Sequence, residues 1–211
     1  MNHICEQFLK SIEKCVRPHT YPVAIKLIPN AQPAERPQYM RTPMERTGHT
    51  MAVCQVMGLV RRYGWSLALE DQDYACPPSL VYMGYYPEDT ILEGMNAVGG
   101  YVFDQEAGKQ IERVNKALPL GMLKEMWFAP LEKDKFEPDI VVVYGNPAQI
   151  GRLIHAANYK TGKGLCCTAC ARAACSSYIV KVYEEQECTF VVPSGGERVF
   201  GMTQDDEVIF A

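Results

Sequence analysis

Four of the nine cysteines lie close together near the end of the chain, at a spacing typical of metal ligands. Cys167 and Cys170 form a C-x2-C pair, and Cys175 adds a C-x4-C step. Thiolates at such spacing bind one zinc ion or successive irons of an iron–sulfur cluster. Cys54 and Cys76 stand apart from this group, and Cys76 precedes a proline, as one ligand of bacterial ferredoxins does. The sequence therefore predicts a metal centre whose ligands are drawn from these five residues.

The kind of metal centre follows from comparison with known cysteine patterns. The spacing matches neither the bacterial nor the plant-type ferredoxin order, and a zinc ribbon needs a second C-x2-C pair. The candidate ligands are scattered over three segments, and no histidine lies at zinc-finger spacing. We therefore expect an iron–sulfur cluster, with zinc as the alternative. The [4Fe–4S] type is favoured, although the spacing alone does not distinguish it from [2Fe–2S].

Two further interpretations of the cysteines stay open. Cys167 and Cys170 could form a redox-active dithiol, although no buried strand directly precedes them. Alternatively, the Cys-rich segment 165–177 is a tightly packed helix that uses cysteine as a small apolar residue.

Composition excludes several classes of function. The 211 residues are 47% hydrophobic, and 21 basic against 25 acidic residues leave a net charge of -4. No basic excess points to nucleic acid, and no apolar run is long enough to span a membrane. An odd number of cysteines argues against a secreted disulfide framework. We expect a cytoplasmic protein whose partner is a small molecule or a redox protein, and a homo-oligomer is not excluded.

Apolar periodicity predicts the elements that must position these cysteines. A helix over 6–16, a strand over 21–28 and a helix from Thr50 to Gly64 come first, with Cys54 in the first turn of the second helix. The run 140–144 predicts a buried strand that leads into a helix capped by Asn146, the start of an α/β unit. Segments 178–183 and 189–192 are predicted to pair as a hairpin. We expect one α+β or mixed α/β domain over 1–211, with a mixed β-sheet flanked by helices.

A small-residue turn near the C-terminus is a candidate binding site. In Ser194-Gly195-Gly196-Glu197-Arg198, backbone N–H groups and Arg198 could hold a carboxylate or phosphate. Arg198 is therefore the candidate cofactor-binding residue. An ordinary turn that leads into a strand is the simpler interpretation.

Several segments in a fixed order resemble an uncharacterised prokaryotic group, domain-of-unknown-function family 169. The matching segments are 22–27, Cys54 on its helix, Cys76 ahead of 83–84, 138–141, 146–149, and 195–207 with Arg198 and Asp206. Together they span nearly the whole chain.

The resemblance implies a cytosolic protein of a kind common in anaerobes, with cysteine positions suggestive of an iron–sulfur site. By this resemblance Cys54, Cys76 and Cys175 fall where the family tends to have cysteine. The family often has a further cysteine where this chain has Ser194, and Cys167 or Cys170 is a candidate for the missing thiolate.

Taken together, the sequence predicts a cytosolic iron–sulfur protein with a redox role in anaerobic metabolism. An open coordination position on the cluster would favour a small-molecule redox enzyme, and four thiolates would favour an electron carrier. The alternative is a zinc-stabilised or metal-free module that binds a small ligand.

Overall fold

The centre of the fold is a six-stranded β-sheet whose inner strands are buried on both sides. The computed structural model describes residues 3–32, 34–133, 135–167 and 169–211. In chain order the strands are β1 (Val23–Pro29), β2 (Leu67–Glu70), β3 (Leu123–Pro130), β4 (Ile140–Gly145), β5 (Phe190–Val191) and β6 (Val208–Phe210). They lie in the order β2-β3-β1-β4-β6-β5 across the sheet. Every pairing between these strands is antiparallel.

Helices cover both faces of this sheet. The α-helices are α1 (His3–Cys15), α2 (Pro43–Thr47), α3 (Val53–Tyr63), α4 (Pro77–Tyr82), α5 (Asp89–Leu92), α6 (Gln105–Val114), α7 (Pro147–Asn158), α8 (Val182–Glu185) and α9 (Gly195–Phe200). A π-helix, Ser176–Lys181, runs directly into α8.

Alternate residues of each strand point to opposite faces, and each face carries its own apolar layer. On one face Val23 and Ile25 join the largest core cluster, which also holds the apolar residues of α3 and the π-helix. On the other face Val143 packs with Ile12 of α1 and Ile150 of α7. The sheet is therefore the middle layer of three, and the face that bears α3 carries the largest core.

The local signals in the sequence correctly place several elements. Asn146 and Gln149 form the predicted capping box: each side chain accepts a 2.9 Å hydrogen bond from the backbone N–H of the other. Gly64 ends α3 in the left-handed conformation, with φ of 69°. The start of α3 differs from the prediction, because Ala52 and not Thr50 occupies the N-cap.

The predicted α+β domain, a sheet flanked by helices, is confirmed, but the sheet is antiparallel where the sequence predicts a mixed one. The expected α/β unit does not form, because β4 pairs antiparallel with both β1 and β6. The predicted strand 178–183 is wrong, since these residues form the π-helix and the start of α8. Its apolar residues are consecutive, and such a run does not distinguish a buried strand from a buried helix.

No helix among the described residues combines the length and the apolar character that crossing a membrane requires.

Candidate functional site

Three cysteines from distant parts of the chain line one cavity on the α3 side of the sheet. Cys54, Cys76 and Cys175 share this cavity, which has a volume of about 260 Å³, with Ser194. Cys175 is buried, and the other two are partly exposed. The three positions that the family resemblance singles out, and the serine at its fourth position, therefore meet at one place.

Backbone pairing explains how Cys54 and Cys76 come together. Met51 donates from its N–H to the carbonyl of Asp73 at 2.8 Å, and its own carbonyl accepts from the N–H of Ala75 at 3.0 Å. These bonds hold the segment before α3 beside the segment before α4. Cys54 then lies in the first turn of α3, and Cys76 is the N-cap of α4.

Two glycines bring the C-terminal side of the cavity against α3. A Cβ atom on Gly58 would lie 2.8 Å from the carbonyl oxygen of Gly201, and one on Gly201 would lie 3.1 Å from the carbonyl oxygen of Cys54. Only residues without a side chain permit this approach. It places α9, with Ser194 at its N-cap, beside Cys54.

The third cysteine follows a turn in an unusual conformation. Ala173 has a φ of 59°, in the left-handed region that residues other than glycine rarely adopt. Arg172, Ala173, Ala174 and Cys175 all line the cavity. Ser79 of α4 lies 3.9 Å from the Cys175 sulfur, measured from its Oγ.

Burial keeps the thiols of Cys54 and Cys175 protonated. Burial raises the pKa of Cys54 well above that of an ordinary thiol, and the charges of Glu197, Cys175 and Cys76 raise it further. Burial also raises the pKa of Cys175, and the charges of Cys76 and Glu197 raise it further. The three thiols and Glu197 are thus within electrostatic reach of one another. Without a metal, Cys54 and Cys175 are poor nucleophiles.

Glu197 is the acidic side chain of the cavity. It is buried, and its two oxygens accept hydrogen bonds from the hydroxyls of Tyr178 at 2.6 Å and Tyr144 at 3.2 Å. Burial raises the pKa of Glu197, while the two tyrosines and Arg61 act in the opposite direction.

Arg172 is the basic side chain of the cavity, and part of it has no partner. It is 4% exposed, and its Nη2 lies 3.2 Å from Oε1 of Glu112. Its Nε and Nη1 are buried without a hydrogen-bond partner among the described residues. Its guanidinium carbon lies 5.3 Å from the ring centre of Tyr101, which also lines the cavity.

The other residues predicted from the sequence lie elsewhere. Cys167 and Cys170 do not line this cavity, and the Cys170 thiol donates to the backbone carbonyl of Arg172 at 2.7 Å. The segment 165–173 is irregular where it is described, so the packed-helix interpretation is wrong for it. Arg198 also lies outside the cavity: its Nη1 donates to the carbonyl of Gln204 at 3.2 Å.

Sequence reasoning missed Arg172 and Glu197. Glu197 belongs to the same turn as Arg198. It was not predicted as a site residue, because the turn was interpreted as binding an anion and a carboxylate does not fit that role. Arg172 lies between two cysteines of the Cys-rich segment. An arginine within an apolar, Ala-rich segment is itself a signal, because buried arginine needs a partner.

The donor set fits an anionic, thiolate-bound group better than one metal ion. No three His, Cys, Asp or Glu side chains in the described parts of the chain are close enough to hold a single ion. The thiolates of an iron–sulfur cluster bind different irons, so they need not converge on one point.

Comparisons with known proteins agree with the resemblance seen in the sequence. The model of domain-of-unknown-function family 169, described as "Uncharacterised ArCR", matches residues 11–211. An uncharacterised protein of Methanocaldococcus jannaschii is 23% identical over 219 residues, which cover 100% of this chain and 89% of that protein. No solved structure matches the chain. Because the family match covers nearly all of the sequence, the chain belongs to domain-of-unknown-function family 169.

Proposed function

We propose that the protein binds an iron–sulfur cluster, of the [4Fe–4S] type, through Cys54, Cys76 and Cys175, and that it carries out redox chemistry on a small molecule. The observation that supports this proposal is the convergence of three cysteines on one cavity. They are separated by 22 and 99 positions in the sequence. Packing of apolar side chains does not require cysteine at all three positions, whereas a shared thiolate-bound group does.

The environment of the thiols favours a metal centre over thiol chemistry. Burial and neighbouring charges raise the pKa of Cys54 and Cys175, so neither is suited to act as a free thiolate. A metal deprotonates the thiols that bind it. The dithiol hypothesis, which uses Cys167 and Cys170, gains no support from this cavity, because both residues lie outside it.

Three thiols favour action on a small molecule over simple electron transfer. Ser194 lies where a fourth cysteine would complete the set, so one iron would lack a thiolate ligand. A cluster of this kind supplies one-electron chemistry and an iron to which a further molecule can bind. Cys54 and Cys76 are partly exposed, so a small molecule could reach the site, and Ser79, Ser194 and Arg172 line it with polar groups. A cytoplasmic, anaerobic setting is part of the same proposal.

Single Cys→Ser variants test the ligand assignment. In protein purified without oxygen, Cys54→Ser, Cys76→Ser and Cys175→Ser are each expected to lose most of the bound iron and sulfide. Cys167→Ser and Cys170→Ser are the matched controls, since both residues lie outside the cavity. Both variants are expected to keep the bound iron and sulfide. Iron loss in the controls, or unchanged iron in all three cavity variants, would refute the assignment.

A metal-free module that binds a small ligand is the second candidate function. The observation that favours it is the lack, among the described residues, of three side chains positioned for a single metal ion. It predicts that wild-type protein and all five variants contain no stoichiometric metal and unfold at similar temperatures.

A further inference from the structure

We propose that Arg172 binds a small oxyanion or carboxylate in the cavity lined by Cys54, Cys76 and Cys175, so that the molecule on which the protein acts is an anion. This inference rests on the proposed function, because it names the substrate class of the same site. Its basis is a buried cation whose donors are only partly used.

The first step is the incomplete bonding of Arg172. An arginine side chain offers five N–H donors in a rigid, planar fork. Here Nη2 pairs with Glu112, while Nε and Nη1 are buried without a partner in the described structure. A buried donor left unsatisfied costs free energy. Arg172 lines the cavity, and a turn of its guanidinium toward an oxygen anion bound there would remove that cost.

The second step is the support behind the guanidinium. Glu112 is buried and accepts a hydrogen bond from the hydroxyl of Tyr82, which in turn accepts one from Asn115 at 3.2 Å. The ring of Tyr101 lies against the guanidinium. The buried charge of Glu112 and the ring of Tyr101 thus keep the guanidinium at the cavity in the absence of ligand.

The third step is the lining near Arg172. Tyr101 packs over the start of α9: a Cβ atom on Gly195 would lie 3.4 Å from its ring, and one on Gly196 would lie 3.8 Å from its hydroxyl. Asn96 and Ser194 add neutral polar groups. Glu197 is the acidic lining residue, and its oxygens are already bonded by two tyrosines. A small anion thus meets one cation and several neutral donors.

Size and charge define the class of ligand. Pockets for drug-sized molecules have volumes of roughly 300–1,000 Å³. This cavity measures about 260 Å³, and a cluster bound to the three cysteines would take up part of it, so the remaining space suits a ligand of a few atoms. Both carboxylates and inorganic oxyanions present negatively charged oxygens to an arginine. Acetate is the probe for the first class and phosphate is the probe for the second. Acetamide has the shape of acetate without its charge and serves as the neutral probe.

Titration of iron-loaded protein with these three probes tests the proposal, with calorimetry and the visible spectrum of the cluster as readouts. Wild-type protein is expected to bind acetate or phosphate, and not acetamide. Arg172→Gln is expected to keep its iron and to bind the anion at least tenfold more weakly, because a hydrogen bond to a charged group contributes about 1.5–3 kcal/mol. Arg198→Gln is the matched control, since that arginine lies outside the cavity, and should bind as wild type does.

Arg172→Lys keeps the test decisive if Arg172→Gln fails to fold. It retains the charge beside Glu112, loses the planar fork, and should bind the anion more weakly than wild type with unchanged iron. Equal binding of acetamide and acetate, no anion binding by wild type, or loss of iron from Arg172→Lys would overturn the proposal, the last because Arg172 would then serve the cluster itself.

Metal-free protein separates this proposal from the proposed function. If wild-type protein never takes up iron but still binds the anion in an Arg172-dependent way, the cluster assignment fails and the anion site stands. If the protein binds iron but no anion, the cluster assignment stands and the anion site is refuted.

Discussion

Individual side chains in this protein are held by buried polar contacts around α3 and the C-terminal segment. Arg61 is fully buried, stacks on the ring of Tyr144 at 4.1 Å, and pairs with Glu207 at 2.7 Å. Tyr144 in turn donates to Glu197 in the cavity. The residues that position the site are therefore linked to an ion pair outside it, and removing one partner of such a pair leaves an uncompensated charge.

The charge of Glu207 is expected to contribute to stability in a pH-dependent way. Burial alone would raise the pKa of Glu207, but hydrogen bonds from Arg61 and from the backbone of Gln204, with the charges of Arg61 and Arg62, lower it overall. A carboxyl whose pKa is lower in the folded than in the unfolded state stabilises the fold above its unfolded pKa. That stability is lost as pH falls through the folded value.

The test compares wild type with Glu207→Gln by chemical unfolding between pH 7 and pH 3. Wild type is expected to be the more stable at neutral pH, with a difference that shrinks below the ordinary glutamate pKa of 4.5. Glu187→Gln, at an exposed position, should show no such dependence. A difference for Glu207→Gln that stays constant down to pH 3 would contradict the role of its charge.

At the level of elements, the sequence predicts what is local and misses what depends on packing. The capping box of α7 and the left-handed glycine after α3 are encoded within a few residues, so both are found from spacing alone. The π-helix Ser176–Lys181 is missed because its buried run also fits a strand. The antiparallel sheet is missed because strand direction depends on pairings between residues far apart in the chain.

The contact between α3 and α9 gives the element-scale prediction. Alanine usually stabilises a helix interior by up to about 1 kcal/mol relative to glycine. At Gly58 the new methyl would meet the backbone oxygen of Gly201 at 2.8 Å, so α9 must move. Gly58→Ala is therefore expected to destabilise the protein by about 1–3 kcal/mol, as overpacked sites do, and to lower iron content.

Gly151→Ala is the control for this prediction. It lies inside α7 with no atom within 4 Å of the added methyl, and should be neutral or stabilising. Urea unfolding and iron analysis measure both variants. A Gly58→Ala protein as stable and as iron-rich as Gly151→Ala would show that the close approach of the two helices does not position the site.

At the scale of the whole molecule, the sheet and the helices packed on it form the apolar core, and the cavity lies at the edge of that core. The largest core cluster is built from strands, α3 and the π-helix, and is apolar almost throughout. The cavity lies at the edge of that core, where the segments before α3, before α4 and before the π-helix meet. Because the cavity forms between segments that are distant in the chain, its full set of lining residues cannot be predicted from the sequence. Cysteine spacing drew attention to Cys167 and Cys170, and the family resemblance singled out Cys54, Cys76 and Cys175. That these last three share one cavity follows only from tertiary packing.

Because the largest core cluster is almost entirely apolar and shares only Ala174 and Cys175 with the cavity lining, the protein is expected to stay folded when the cluster is removed. After oxidation and chelation of the iron, the far-UV circular dichroism should be retained and thermal unfolding should remain cooperative, with a lower Tm because the bound group stabilises the folded state. Loss of the cooperative transition would instead show that the metal is structural, as in zinc fingers.

The central claim, that the three cavity cysteines hold an iron–sulfur cluster, is tested most directly by iron and sulfide analysis of wild-type protein purified without oxygen. We expect brown protein with about four irons and four sulfides per chain. Colourless protein that takes up no iron, even after anaerobic reconstitution with iron and sulfide, would contradict it.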